Sequence, residues 1–93
     1  GSLATERKVL VGKVTKYFSR LGVGEIAVQA STFKQGDKLL ITGNTTGAMY
    51  LHATEIHSDN GVISEAPQHT LVSVPVPDKV RPNDKVFRID TDA

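Results

Sequence analysis

Lys8-Val9-Leu10-Val11-Gly12-Lys13-Val14-Thr15-Lys16-Tyr17-Phe18 is the stretch on which the fold turns. It is rich in β-branched and aromatic side chains, and its apolar residues recur at every second position, as a half-buried strand requires. Val9 and Val11 share one parity, while Val14 and Phe18 share the other. One extra residue in a strand produces such a switch, so the spacing predicts a strand over 8–18 with a β-bulge at Gly12. Outward from it, Ser19 to Gly22 reads as a turn and Val23 to Ala30 as a second strand, with Ile26, Val28 and Ala30 on one face. A connection ending in Gly36-Asp37 precedes a third strand, Lys38 to Thr42. The Gly-bounded loop Gly43 to Gly47 predicts a hairpin to a fourth strand, Ala48 to His57. Asp59-Asn60-Gly61 is a strong reversal signal before a short strand at Val62-Ile63. Leu71 to Val76 alternates cleanly, with Pro75 and Pro77 marking an edge or a strand end. A loop through Arg81-Pro82-Asn83-Asp84 precedes the last strand, Lys85 to Ile89. The pattern predicts an all-β domain, a six- or seven-stranded closed β-barrel, closure being how so small a sheet removes its edges. No internal repeat or low-complexity stretch is visible.

The chain has 93 residues and is 39% hydrophobic, enough for one core. With no Trp, three Phe and two Tyr, that core must be mainly Val, Leu and Ile. The absence of Cys excludes disulfide scaffolds, Cys-ligated zinc, iron–sulfur clusters and thiol catalysis. No apolar run is long enough for a transmembrane helix, and no membrane partner is expected. Gly1-Ser2 reads as a tag remnant, residues 3–8 as a linker from a longer parent chain, 9–89 as the single barrel domain and 90–93 as a disordered tail. Leu3 to Lys8 is too polar for a signal peptide core, so the expected location is cytoplasmic.

Chemistry-bearing motifs are sparse. Gly22 and Gly24 lack the third glycine and the helix of a dinucleotide site, and no phosphate-binding P-loop exists. His52 and His57 fall on opposite faces of a regular strand; Glu55 and His57 share a face, and His69 could approach across the sheet. Imidazoles without fixed spacing seldom bind metal, so neither a metal nor a cofactor is expected. No nucleophile elbow surrounds any Ser, and Asp90 and Asp92 lie in a polar stretch that cannot desolvate them for acid–base work. The expectation is a domain with no catalytic residues and no small-molecule substrate.

Charge is more informative. The net charge is +1, but residues 1–34 sum to +4, residues 35–66 to −3 and residues 67–93 to zero. The first hairpin is therefore basic, with Lys13, Lys16 and Arg20, joined by Lys34 and interleaved with Tyr17 and Phe18. Lysines on phosphates and an exposed ring on a base are how a β surface grips single-stranded RNA. The same residues also suit an exposed strand kept soluble by lysines, with Phe18 in the core. A second basic group, Lys79, Arg81, Lys85 and Arg88, is diluted by Asp78 and Asp84. Val72, Val74 and Val76 read either as barrel core or as a patch that docks on a neighbouring domain.

In order, Gly12-Lys13-Val14, Gly22 to Val28, Phe33-Lys34-Gln35-Gly36-Asp37-Lys38-Leu39, Glu55-Ile56, Val62 to Ala66, Val72 to Val76 and Pro82-Asn83-Asp84-Lys85-Val86 resemble the second-domain barrel of translational GTPases such as elongation factor Tu. The closer resemblance is to the small C-terminal barrel of the collagenase-like peptidases (peptidase family U-thirty-two), over roughly Val9 to Ile89. Asn83-Asp84 stands where a second Gly-Asp is usual, a change Asn tolerates because it adopts positive φ. Nothing in the chain corresponds to a GTP-binding domain or a third barrel. The resemblance implies a barrel of the translation-protein type and a non-catalytic accessory role, because the family's chemistry is assigned to its larger N-terminal region. That family is linked to collagen degradation or to hydroxylation of tRNA and ribosomal RNA. The implied partners are the catalytic domain of the parent chain and tRNA or rRNA. The alternative is a free-standing elongation-factor-like module that binds RNA or the ribosome.

Overall fold

The computed structural model describes residues 5–92. The tag remnant at Gly1-Ser2, and Leu3, Ala4 and Ala93 of the expected linker and tail, lie outside the described residues. Among the described residues ten strands follow one another with no helix: β1 (Thr5–Phe18), β2 (Val23–Val28), β3 (Phe33–Lys34), β4 (Lys38–Gly43), β5 (Gly47–His52), β6 (Ile56–Ser58), β7 (Gly61–Ile63), β8 (Glu65–Ala66), β9 (Thr70–Pro75) and β10 (Lys85–Asp92). Eight form one antiparallel sheet in the order β5-β4-β10-β1-β2-β9-β6-β7, and β3 and β8 form a separate two-stranded ladder.

The all-β expectation is met, but the closed barrel is not found: among the described residues the sheet is open, with β5 and β7 at its edges. The reason lies in the Lys34–Asp37 turn. Gln35 donates its N–H to the Ser64 carbonyl just beyond β7, and Gly36 donates to Ala53 just beyond β5. Ala53 in turn donates to Asp37. The turn thus satisfies chain on both sides of the gap, where a closed barrel would use a strand-to-strand ladder.

β1 sits at the middle of the sheet and organises it. Its first half pairs with β10 and its second half with β2, and Gly12 and Lys13 pair on both flanks. The register against β10 shifts between Leu10 and Gly12, so Val11 is the extra residue of the expected bulge. Its carbonyl accepts the N–H groups of both Gln29 and Ala30. The bulge lets Val11 and Val14, three apart, both lie fully in the core. A side chain at position 12 is impossible without backbone movement, because its Cβ would sit 1.9 Å from the Ala27 carbonyl oxygen. Ala30, expected on the buried face of the second strand, lies beyond β2 and is exposed.

Both ends depart from expectation. Thr5–Lys8, read as linker, belong to β1, and Asp90–Asp92, read as tail, belong to β10. They pair with each other from Thr5↔Asp92 to Lys8↔Ile89, joined by Arg7 Nε to Asp92 Oδ2 at 3.2 Å. Backbone pairing rescues segments too polar to register as strands. The expected fourth strand is also two: β5 and β6 are separated by Ala53–Glu55, because Ala53 is buried and its backbone turns aside to the Gly36-Asp37 turn.

The core is aliphatic as expected, with Ile26, Leu39, Ile41 and Ile56 among its largest members and Phe33 its one fully buried aromatic ring among the described residues. Val72 and Val74 are buried within it and Val76 packs against it, so this strand's apolar face belongs to the core. Two turns share one construction. In Lys34–Asp37 the Asp37 carboxylate accepts the Lys34 N–H at 2.7 Å, and Asp37 N–H returns to Lys34 O. In Arg81–Asp84 the Asp84 carboxylate accepts the Arg81 N–H at 2.9 Å, and Asp84 N–H returns to Arg81 O. The third residue of each has positive φ, 89° at Gly36 and 73° at Asn83. Asn therefore replaces Gly where a left-handed residue is needed, as its short polar side chain allows.

Candidate functional site

The Arg81–Asp84 turn is fastened to the middle of β1. Val14 donates its N–H to the Asp84 carbonyl, and Asn83 donates to the Val14 carbonyl, both at 2.8 Å. This brings the chain before β10 against the basic hairpin. One recess is lined by Lys16, Tyr17 and Ser19 from the hairpin and by Lys79, Arg81 and Pro82 from the loop. A second recess shares Arg81 and Pro82 with it and continues past Asn44, Thr45 and Lys85. Lys13 lies directly across the ladder from Lys85.

The predicted residues are therefore only partly assembled. Lys16 and Tyr17 meet in the first recess, and Lys13 joins through Lys85. Arg20 lies at the exposed hairpin tip, where it lines a further recess with Tyr17, Phe18 and Leu21. Lys34 is elsewhere, paired with Glu65 across β3 and β8 in a recess that also holds Asp37 and Asp90. Tyr17 is partly buried and packs against the core. Phe18 is half-buried and carries the Lys16 ammonium 4.8 Å from its ring centroid.

Along the chain, Lys79, Arg81 and Lys85 are interrupted by aspartates, but in the fold neither aspartate forms a direct ion pair with them. Asp84 is buried, only 6% exposed, and its carboxylate turns inward. It accepts Thr46 Oγ1–H at 2.6 Å as well as the Arg81 N–H. Asp78 accepts the N–H of Lys79 at 2.7 Å. Among the described residues no carboxylate comes within ion-pair distance of Lys13, Lys16, Lys79, Arg81 or Lys85. The turn chemistry holds a signal for this: an Asp that closes an x-x-Asn-Asp turn directs its carboxylate back to a backbone N–H of the turn.

Elsewhere Glu6, Asp90 and Asp92 are engaged in ion pairs with Lys38, Arg88 and Arg7. Arg88 grips Asp90 through two hydrogen bonds, Nε to Oδ1 at 2.7 Å and Nη2 to Oδ2 at 3.0 Å. These bonds hold the Asp90 carboxyl below its ordinary pKa and push the Arg88 guanidinium up. Glu55 and His57 face each other at 3.2 Å beside Phe18, Leu21 and Pro75. Among the described residues no three His, Asp or Glu side chains converge in a way that would hold a metal ion. Among the same residues no helix is long and apolar enough to cross a membrane.

No family model matches the chain. It is 43% identical over 90 residues to a collagenase of Porphyromonas gingivalis, covering 97% of this chain and 22% of that protein. A second Porphyromonas gingivalis collagenase is 42% identical over 97% of this chain and 25% of its own length. The chain thus spans no more than a quarter of the length of these curated relatives. Among solved structures it superposes on the C-terminal domain of a Geobacillus thermoleovorans U32 peptidase with a TM-score of 0.78 and 18% identity, covering 88% of this chain and 92% of that one. The selenomethionine form of the same domain matches with the same score over 84% of this chain. The chain is thus similar over nearly its whole length to a quarter or less of two collagenases, and it shares the fold of the C-terminal domain of that Geobacillus U32 peptidase.

Proposed function

We propose that this chain is a non-catalytic accessory domain of a collagenase-like peptidase-family protein, packing on the catalytic domain and presenting an anionic substrate, tRNA or rRNA, to it in the cytoplasm. The observation that carries this is that Lys16, Lys79 and Arg81 line one open recess with no carboxylate within ion-pair distance among the described residues. Cations without carboxylate partners gathered on one surface attract a polyanion and release its counterions on binding. Tyr17 at the recess and Arg20 at the hairpin tip extend the surface, and Lys13 continues it along β1. The accessory reading is favoured over a free-standing elongation-factor-like module by the length of the relatives, of which this chain matches a quarter or less. In this reading the sheet is an opened relative of the translation-protein barrel, with the Gly36-Asp37 and Asn83-Asp84 turns in the places that resemblance assigns them.

The test is titration of fluorescent tRNA with the chain at about 50 and 200 mM salt. Binding at low salt, weakened at high salt and abolished by Lys13→Glu with Lys16→Glu, is the expected result. Unchanged binding by the double variant, or no binding at low salt, would overturn the proposal.

A further inference from the structure

Arg81 differs from the lysines around it in how it is held. Its backbone N–H is bound by the Asp84 carboxylate at 2.9 Å, and its Nη1 donates to Thr46 Oγ1 at 3.1 Å. Thr46 donates its own hydroxyl hydrogen to the same carboxylate at 2.6 Å. One buried aspartate thus fixes both ends of the arginine, directly at the main chain and through Thr46 at the guanidinium. Four of the five guanidinium N–H donors are left without a protein partner among the described residues. An arginine normally gives up side-chain freedom when it binds an anion; here much of that ordering is already in place.

Its surroundings narrow the ligand. Arg81 stands on the shared wall of two recesses, one with Lys16, Lys79 and Tyr17, the other with Lys85 and the hairpin residues Asn44 and Thr45. A chain of anionic groups crossing from one recess to the other passes over the fixed guanidinium with a cation on each side. An aromatic ring in one recess and neutral hydrogen-bonding side chains in the other suit bases, which an acidic peptide lacks. We infer that Arg81, positioned by Thr46 and Asp84, is a phosphodiester clamp for an extended single-stranded nucleic acid lying across the two recesses. This rests on the anionic-substrate reading above and adds to it a central residue from outside the first hairpin.

The test uses the 93-residue chain and a labelled oligouridylate about ten nucleotides long, titrated over a range of salt concentrations. Arg81→Ala is expected to weaken binding several-fold and to lower the salt slope by about 0.7, the value of one single-strand phosphate contact. Arg81→Lys keeps the charge and the main-chain bond to Asp84 but loses the fork, so its slope stays while its affinity falls. Thr46→Val should weaken binding and Thr46→Ser restore it, whereas a purely structural threonine would move the unfolding midpoint alone. Binding by Arg81→Lys and Arg81→Ala equal to wild type, with Lys13→Glu plus Lys16→Glu still abolishing it, would overturn the clamp and leave the proposed function standing. Failure of the wild-type chain to bind in low salt would overturn both. Equal competition by an oligoglutamate peptide of matching charge would overturn the assignment to phosphodiesters.

Discussion

The Asp84 carboxylate lies directly over the α-carbon of Gly43: a Cβ placed on Gly43 would come within 2.0 Å of Asp84 Oδ1 and 2.7 Å of its Cγ. Glycine at the end of β4 is thus the space into which the turn before β10 puts its buried charge. That charge holds Thr46 in the next hairpin and Arg81 at the rim. Packing, turn geometry and the proposed site meet at one contact.

Gly43→Ala should therefore expel the carboxylate and unfasten the turn. The expected loss is about 2–4 kcal/mol, as for other substitutions that disrupt a buried polar network. Urea denaturation measures it, and a loss below about 0.5 kcal/mol would show that the turn adapts freely.

The backbone of Asn83 is left-handed, with φ 73°. Asn83→Gly should leave stability within about 0.5 kcal/mol of wild type, while Asn83→Ala should cost about 1 kcal/mol for the left-handed conformation. Equal midpoints for the Ala and Gly variants would contradict this account.

At Gly12 the obstacle is backbone, since the carbonyl of Ala27 occupies the place of a side chain. Gly12→Ala is expected to cost about 3 kcal/mol or more, because two strands must separate for it. Hydrogen exchange should show lost protection in β2 opposite the bulge, around Ala27 and Val28.

The Arg88–Asp90 pair sets a pH dependence. Its side chains are 22% and 28% exposed, and the Asp90 carboxyl titrates below its ordinary value of 3.8 because Arg88 hydrogen-bonds its charged form. The folded-state pKa lies below the unfolded one, so the contribution is fully present above the unfolded value and is lost as pH falls through the folded one. Asp90→Asn should lower stability at pH 7 by up to about 1 kcal/mol, the partial exposure limiting the effect. The difference from wild type should shrink below about pH 4 and vanish under still more acidic conditions. A difference that persists undiminished at low pH would assign it to packing.

Features governed by a few consecutive residues are legible in the sequence alone. Alternation across Leu71 to Val76, the reversal at Asn60-Gly61 and the parity switch at Gly12 follow from the two-residue period of a strand and from the φ that each turn demands. These are local energies, complete within about ten residues. What folding alone settles are relations between residues far apart in the chain. Ala53 breaks the expected fourth strand because Gly36 and Asp37 take its backbone bonds. Polar Thr5–Lys8 and Asp90–Asp92 become strands because they find each other. The open sheet edges follow from a turn that fills the gap between them. The same holds at the candidate site. Summing charges along the chain cancels Arg81 against Asp84, but a charge acts from where its side chain points. Asp84 turns inward and makes no direct ion pair with the Arg81 guanidinium, which lines one recess with Lys16, sixty-five residues away in the sequence.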